Sequence, residues 1–262
     1  NRSPGTIMDQ LINYTLHLAD NSLVLGHRNS EWTGYGPVLE QDIAISNIAL
    51  DLIGQSRNFY QYAARLINQS TNQSVTEDTL AYLRDANQFK NCLLSEQPNG
   101  DWAKTILRLF FFSAYQYFLY RQLQNSTDGT LGAIAEKSLK EVTYHLRWSS
   151  EWVIRLGDGT EESHRRILAA IDALWMYTDE IFEAADYELA AANKGYGVDV
   201  SSLKDDWQKK VSNIFEQATL PFPPANKPGV RWFGKEGKHS EHLGYILAEM
   251  QFLQRAYPDS QW

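Results

Sequence analysis

Cysteine occurs once in the 262 residues, at Cys92, which excludes an internal disulfide and every multi-cysteine zinc or iron–sulfur arrangement. Its expected role is that of a small buried apolar side chain. Long apolar runs are missing too. The most apolar stretch, LRLFFFSAYQYFLY, is interrupted by Arg108, Ser113 and Gln116 and falls short of the roughly 18 residues a membrane span needs, so no membrane association is expected. The amino-terminal NRSPGTIMDQ lacks the basic-then-apolar order of an export signal, which leaves a cytoplasmic address as the expectation. Basic charge is scarce, with 24 Lys and Arg against 32 Asp and Glu and a net charge of −8. That balance argues against nucleic acid or an anionic membrane as partner and for proteins or small molecules. Two local gaps matter most: no Asp or Glu occurs from Trp102 to Thr127, and no His from Arg28 to Tyr144.

What is present is helical periodicity over a hydrophobic content of 43%, enough for a large single core. Apolar residues at three-and-four spacing predict long helices over about 6–26, 39–67, 102–125 and 130–156, with a shorter piece near 76–94. A fifth helix is expected from about 160 to 186, followed by helices near 201–217 and 239–256. Asp101, after the turn signal Pro98-Asn99-Gly100, and Thr160, before Glu161 and Glu162, are expected helix N-caps. Breakers fall between these segments, and nothing has strand period. The fold expected is all-α, a four-helix bundle over about 6–156 with additional C-terminal helices over about 160–257, in one domain 1–262.

Ferritin-like di-iron bundles need four carboxylates and two histidines, because bridging carboxylates neutralise the paired cations and imidazoles complete each shell. One candidate per helix emerges: Asp20 in LADN, Asp51 in NIALDLIGQ, and Glu141 with His145 in KEVTYHLRW. The two gaps remove the remainder, since the third long helix has no carboxylate and the second no histidine. Asp20, Asp51, Glu141 and His145 therefore read as a vestigial cluster, holding at most one loose cation and otherwise a metal-free polar network, with Arg57 or Lys140 as conceivable partners. Glu141 and His145, four apart, are equally readable as an ordinary surface pair. In KHSEHLGYILAEM, His239 and His242 flank Glu241 without the spacing of a zinc protease, and read as residues of a helix start. The third helix carries Phe110, Phe111, Phe112, Tyr115, Tyr117, Phe118 and Tyr120 around most of its circumference. It should be buried all round, by the fifth helix or by another polypeptide. Trp148 and Trp152, beside Arg147 and Arg155, are residue types of interface hot spots. The loop 221–238 concentrates Lys227, Arg231, Lys235 and Lys238, either a solvated loop or contacts for an acidic partner or a phosphate.

Taken together, YTLHLADNSLVLGHRNSEW, LEQDIAISNIALDLIGQSRNFYQYAA, EQPNGDWAKTI, KEVTYHLRWSSEWVIRLGDGTEESHRR and HSEHLGYILAEMQFLQRAYPDSQW resemble the C-subunit family of the bacterial phenylacetyl-CoA epoxidases, from Asn13 to Trp262. The resemblance implies a ferritin-like subunit that carries no cofactor and has no catalytic residues of its own. It would pair with a homologous catalytic A subunit that holds a di-iron centre. The complex it implies converts phenylacetyl-CoA to its ring epoxide with dioxygen, fed by a flavin and iron–sulfur reductase. One departure stands out: Ser113 occupies a position where the family often carries Asp. The alternative left open is a metalloenzyme in its own right, with iron or manganese in the bundle core.

Overall fold

Helix α1 (Ile7–Ser30) starts at a reciprocal cap, in which Asp9 N–H donates to Thr6 Oγ1 at 3.2 Å and Thr6 N–H to the Asp9 carboxylate at 2.8 Å, using two donors that a helix start leaves open. The computed structural model describes residues 6–71, 73–226, 233–258 and 260. Among them there is no strand, and the helices that follow are α2 (Leu39–Ser70), α3 (Glu77–Tyr82), α4 (Leu93–Glu96), α5 (Trp102–Leu123), α6 (Gly129–Gly157), α7 (Glu161–Leu174), α8 (Asp186–Lys194), α9 (Lys204–Gln217), α10 (Glu241–Met250) and α11 (Phe252–Ala256). No described helix is long and apolar enough to cross a membrane. The chain groups into two compact units, one within residues 1–96, 185–197 and 232–262, the other within 97–184 and 198–231.

In the first unit α1 is the axis, buried on every side from Tyr14 to Gly26 and packed against α2, α4, α8 and α10. The loop between α1 and α2 is closed by Asp42, whose carboxylate accepts from Gly34 N–H at 2.9 and 3.1 Å. Contacts then run in opposite senses along the two helices, Thr33 with Ser46, Gly26 against Leu52 and Asp20 with Tyr60, so the pair is antiparallel. The predicted helix over 76–94 is broken after Tyr82. Here Lys90 N–H donates to Asp20 and Cys92 N–H to Asn21 Oδ1, each at 2.8 Å, so α1 side chains take donors a helix would have used. Cys92 is buried, as expected.

The second unit is built on α5, which packs against α6, α7 and α9. The predicted burial holds for most of its circumference, and α7 supplies part of the cover. Phe111 has its ring against Trp175, Trp207 and Phe215, and its carbonyl accepts from the Trp207 indole at 2.9 Å. Asp101 and Thr160 cap α5 and α7 as expected. The α-helix predicted to reach 186 ends at Leu174, followed by two 3-10 turns, 175–177 and 180–182. Trp175 turns its indole to Pro224 O at 2.9 Å and Asn226 donates to Trp175 O at 3.0 Å.

Two glycines give opposite expectations. Gly237 has φ +81°, and a Cβ there would stand 2.2 Å from Asn87 O, so Gly237→Ala should lower unfolding free energy by roughly 2–4 kcal/mol in urea titrations. Gly54, inside α2, would place its Cβ against nothing in the chain, and Gly54→Ala should raise stability by about 0.5–1 kcal/mol in the same assay.

Candidate functional site

A carboxylate in the middle of an apolar helix needs its charge answered within the fold. Asp20, fully buried on α1, meets that need with a complete donor set: Tyr60 Oη donates to Oδ1 at 2.5 Å, Lys90 N–H and Arg84 Nη1 to Oδ2 at 2.8 and 3.1 Å, and Arg84 Nη2 to Oδ1. The guanidinium is equally complete. It also donates from Nε to Leu80 O at 2.6 Å, from Nη1 to Gln88 O at 3.0 Å and from Nη2 to the Tyr60 hydroxyl at 3.0 Å, and it lies 4.2 Å from the Phe89 ring centroid. All five N–H groups are thereby used. Burial opposes the Arg84 charge, but Asp20 and Tyr60 more than offset it and the pKa is raised. Burial first, then the Asp20 charge, pushes the Tyr60 phenol well above its usual range, which keeps it a donor.

Two further buried carboxylates of the same unit are treated alike. Glu188, on α8, accepts from Lys235 Nζ at 3.0 and 3.1 Å and from Ala185 N–H at 2.8 Å, with His17 Nε2 at 3.4 Å. Glu96, at the end of α4, accepts from Ser240 N–H and Oγ at 2.7 Å each and from Asn91 at 2.9 Å. The same carboxylate stands 2.8 Å from His239 Nδ1, while Nε2 of that ring is 2.9 Å from Phe89 O. Each ring nitrogen of His239 thus faces an oxygen. At His17, burial foremost, together with the nearby Lys235 and against Glu188, Asp20 and the Lys90 carbonyl, lowers the pKa. Its Nδ1 donates to Lys90 O at 2.7 Å, and Asn21 lies 3.3 Å from Nε2.

The sequence candidates are placed as follows. Asp20 is paired with Arg84, not with Arg57 or Lys140, and Arg57 lies at the surface against Glu77 at 3.4 Å. Asp51 is half-buried in the first unit, whereas the second contains half-buried Glu141 and buried His145. Among the described residues no three His, Cys, Asp or Glu side chains form a group able to hold a metal ion. Asp20 itself does not suit one, because a cation there would have to displace four hydrogen bonds, two from Arg84 and one each from Tyr60 and Lys90 N–H. Lys235 corrects an expectation: it is buried on Glu188 and offers nothing to a phosphate or partner. Lys238 is exposed beside Glu236, and Lys227 and Arg231 lie outside the described residues. His239 serves Glu96, a role its sequence neighbours did not suggest.

The geometry thus defines an all-α protein of ferritin-like class in which three buried carboxylates are each held by hydrogen-bond donors of the chain itself, two of them by a charged Arg84 or Lys235. Over residues 1–262 it matches the family described as Phenylacetic acid catabolic protein, and it belongs to that family. It is 47% identical over 255 residues, 97% of this chain and 100% of the relative, to the C subunit of the 1,2-phenylacetyl-CoA epoxidase of Escherichia coli (strain K12).

Removing one partner of a buried ion pair leaves the other uncompensated. Arg84→Met should therefore cost about 3–5 kcal/mol of unfolding free energy, and Asp20→Leu with Arg84→Met should recover more than half of that loss. For His17, the unfolded chain takes up a proton below about pH 6.5 while the folded ring does not. Stability from this residue is present above that pH and lost as pH falls, so unfolding free energy should drop between about pH 7.5 and 5.5 more steeply in the wild type than in His17→Gln.

Proposed function

We propose that this chain is the non-catalytic C subunit of a phenylacetyl-CoA epoxidase, a helical scaffold that packs against a catalytic A subunit holding the di-iron centre, with a reductase elsewhere in the complex. The likeness to the Escherichia coli protein over nearly the whole chain supports this reading. The observation that carries the non-catalytic part is the full commitment of Asp20 to Arg84, Tyr60 and Lys90 N–H. Together with a third long helix that has no carboxylate, it leaves too few donors for two redox metals. In this reading Asp20, Asp51, Glu141 and His145 descend from ligand positions and now serve folding. The scaffold contributes by holding the long helices of its partner in register, which keeps a reactive centre preorganised.

Full-length chain co-expressed with the A subunit in iron-supplemented cells should co-purify with it, and the iron should fractionate with the A subunit after the two are separated. Near-stoichiometric iron or manganese on this chain alone, lost in Asp51→Asn and Glu141→Gln, would instead establish it as a metalloenzyme in its own right.

A further inference from the structure

Arg84 and Lys235 are each paired with a carboxylate, but Lys210, half-buried on α9, makes no hydrogen bond or ion pair. Burial is the one influence on its ammonium and lowers the pKa, with no carboxylate close enough to offset it. A charge held in this way costs folding free energy and returns none. Lys210 lines a cleft of about 470 Å³ in the second unit, whose apolar surface comes from Tyr117 and Phe118 of α5, Leu146 and Ile154 of α6, and Ile214 of α9. That volume is of the size that small ligands occupy. Two further clefts carry no comparable group. In one, Arg255 is paired with Asp85 at 3.0 Å, and in the other Lys209 is exposed beside Asp206 at 3.7 Å.

The lining selects the occupant. An apolar wall with two aromatic rings favours a flat apolar body, and one desolvated ammonium favours one negative charge at its end. A phosphate dianion would lose more hydration in such a cleft than a single ammonium returns. A neutral ring would leave the ammonium as unanswered as before. We propose that this cleft binds a small aryl carboxylate, with its ring against Tyr117 and Phe118 and its carboxylate on Lys210. The site belongs to this chain alone and its test needs no second subunit, so its outcome is separate from that of the proposed function.

The test titrates phenylacetate, its neutral isostere phenylacetamide and inorganic phosphate into the purified full-length chain by calorimetry. The wild type should bind phenylacetate with a Kd of about 0.1–1 mM, and the other two at least about tenfold more weakly. Lys210→Met should weaken phenylacetate about tenfold or more and leave phenylacetamide within about twofold. Its thermal unfolding midpoint should not fall, because the substitution removes an unanswered charge. Thr143→Trp, at an exposed position of the cleft wall, should fill the space and weaken both ring-bearing probes about fivefold or more. No binding of phenylacetate by the wild type at about 10 mM overturns the proposal. Equal affinity for phenylacetate and phenylacetamide, or binding that Lys210→Met leaves unchanged, takes the carboxylate away from Lys210 and overturns it as well. Phosphate binding as tightly as phenylacetate reduces the site to a bare anion contact and overturns the aryl assignment.

Discussion

The pair formed by Asp20 and Arg84 sets the terms for the first unit. A bare carboxylate at the centre of α1 would carry a desolvation penalty of several kcal/mol, and so would a bare guanidinium. The two are tolerable only together and only with every remaining donor and acceptor satisfied. That requirement reaches well past the pair itself. Tyr60 must come from α2 to give its hydroxyl, and Leu80 and Gln88 must turn their carbonyls inward. The backbone at Lys90 must leave the helical path so that its N–H meets Oδ2. The interruption of the helix after Tyr82 is thus the backbone cost of neutralising one side chain.

The same principle explains how a unit assembled from three separate stretches of sequence holds one arrangement. Glu188 on α8 is tied to Lys235, and Glu96 on α4 to His239 and Ser240, so stretches distant in sequence meet through charges rather than through apolar contact alone. Apolar burial is non-directional and on its own discriminates less sharply between neighbouring alignments. A buried ion pair discriminates sharply, because displacement by one residue leaves two uncompensated charges. Such pairs add little net stability over well-packed apolar residues. Their contribution here is that a shifted C-terminal segment would leave Glu188 and Glu96 without these partners.

Helix positions were legible in the sequence where periodicity and caps agreed, as for α1, α2, α5 and α6, and at the caps Asp101 and Thr160. The aromatic girdle of α5 announced its own burial. Where the reading failed, a long-range partner overrode a local pattern. Arg84 lies 64 residues from Asp20 in a stretch whose spacing was readable as helix, and α7 stops early where Trp175 and Asn226 engage the loop beyond it. Lys235 sits in a Gly- and Pro-rich stretch that reads as solvated, and only the position of Glu188 shows that it is interior. Asp20 could be recognised as a buried charge in need of a cation, but the sequence could not say which cation.

That last ambiguity bears on function. A buried carboxylate in a ferritin-like helix can be neutralised by a metal ion or by a side chain, and the two solutions differ in what they permit. A metal leaves coordination positions through which a ligand can enter. A guanidinium with all five N–H groups directed at protein acceptors leaves none. It also cannot be lost by exchange or by limited metal supply, so the helices stay in register whatever the metal status of the cell. For a scaffold proposed to brace a metal-bearing partner this is the appropriate choice: the brace should not depend on the ion whose centre it steadies.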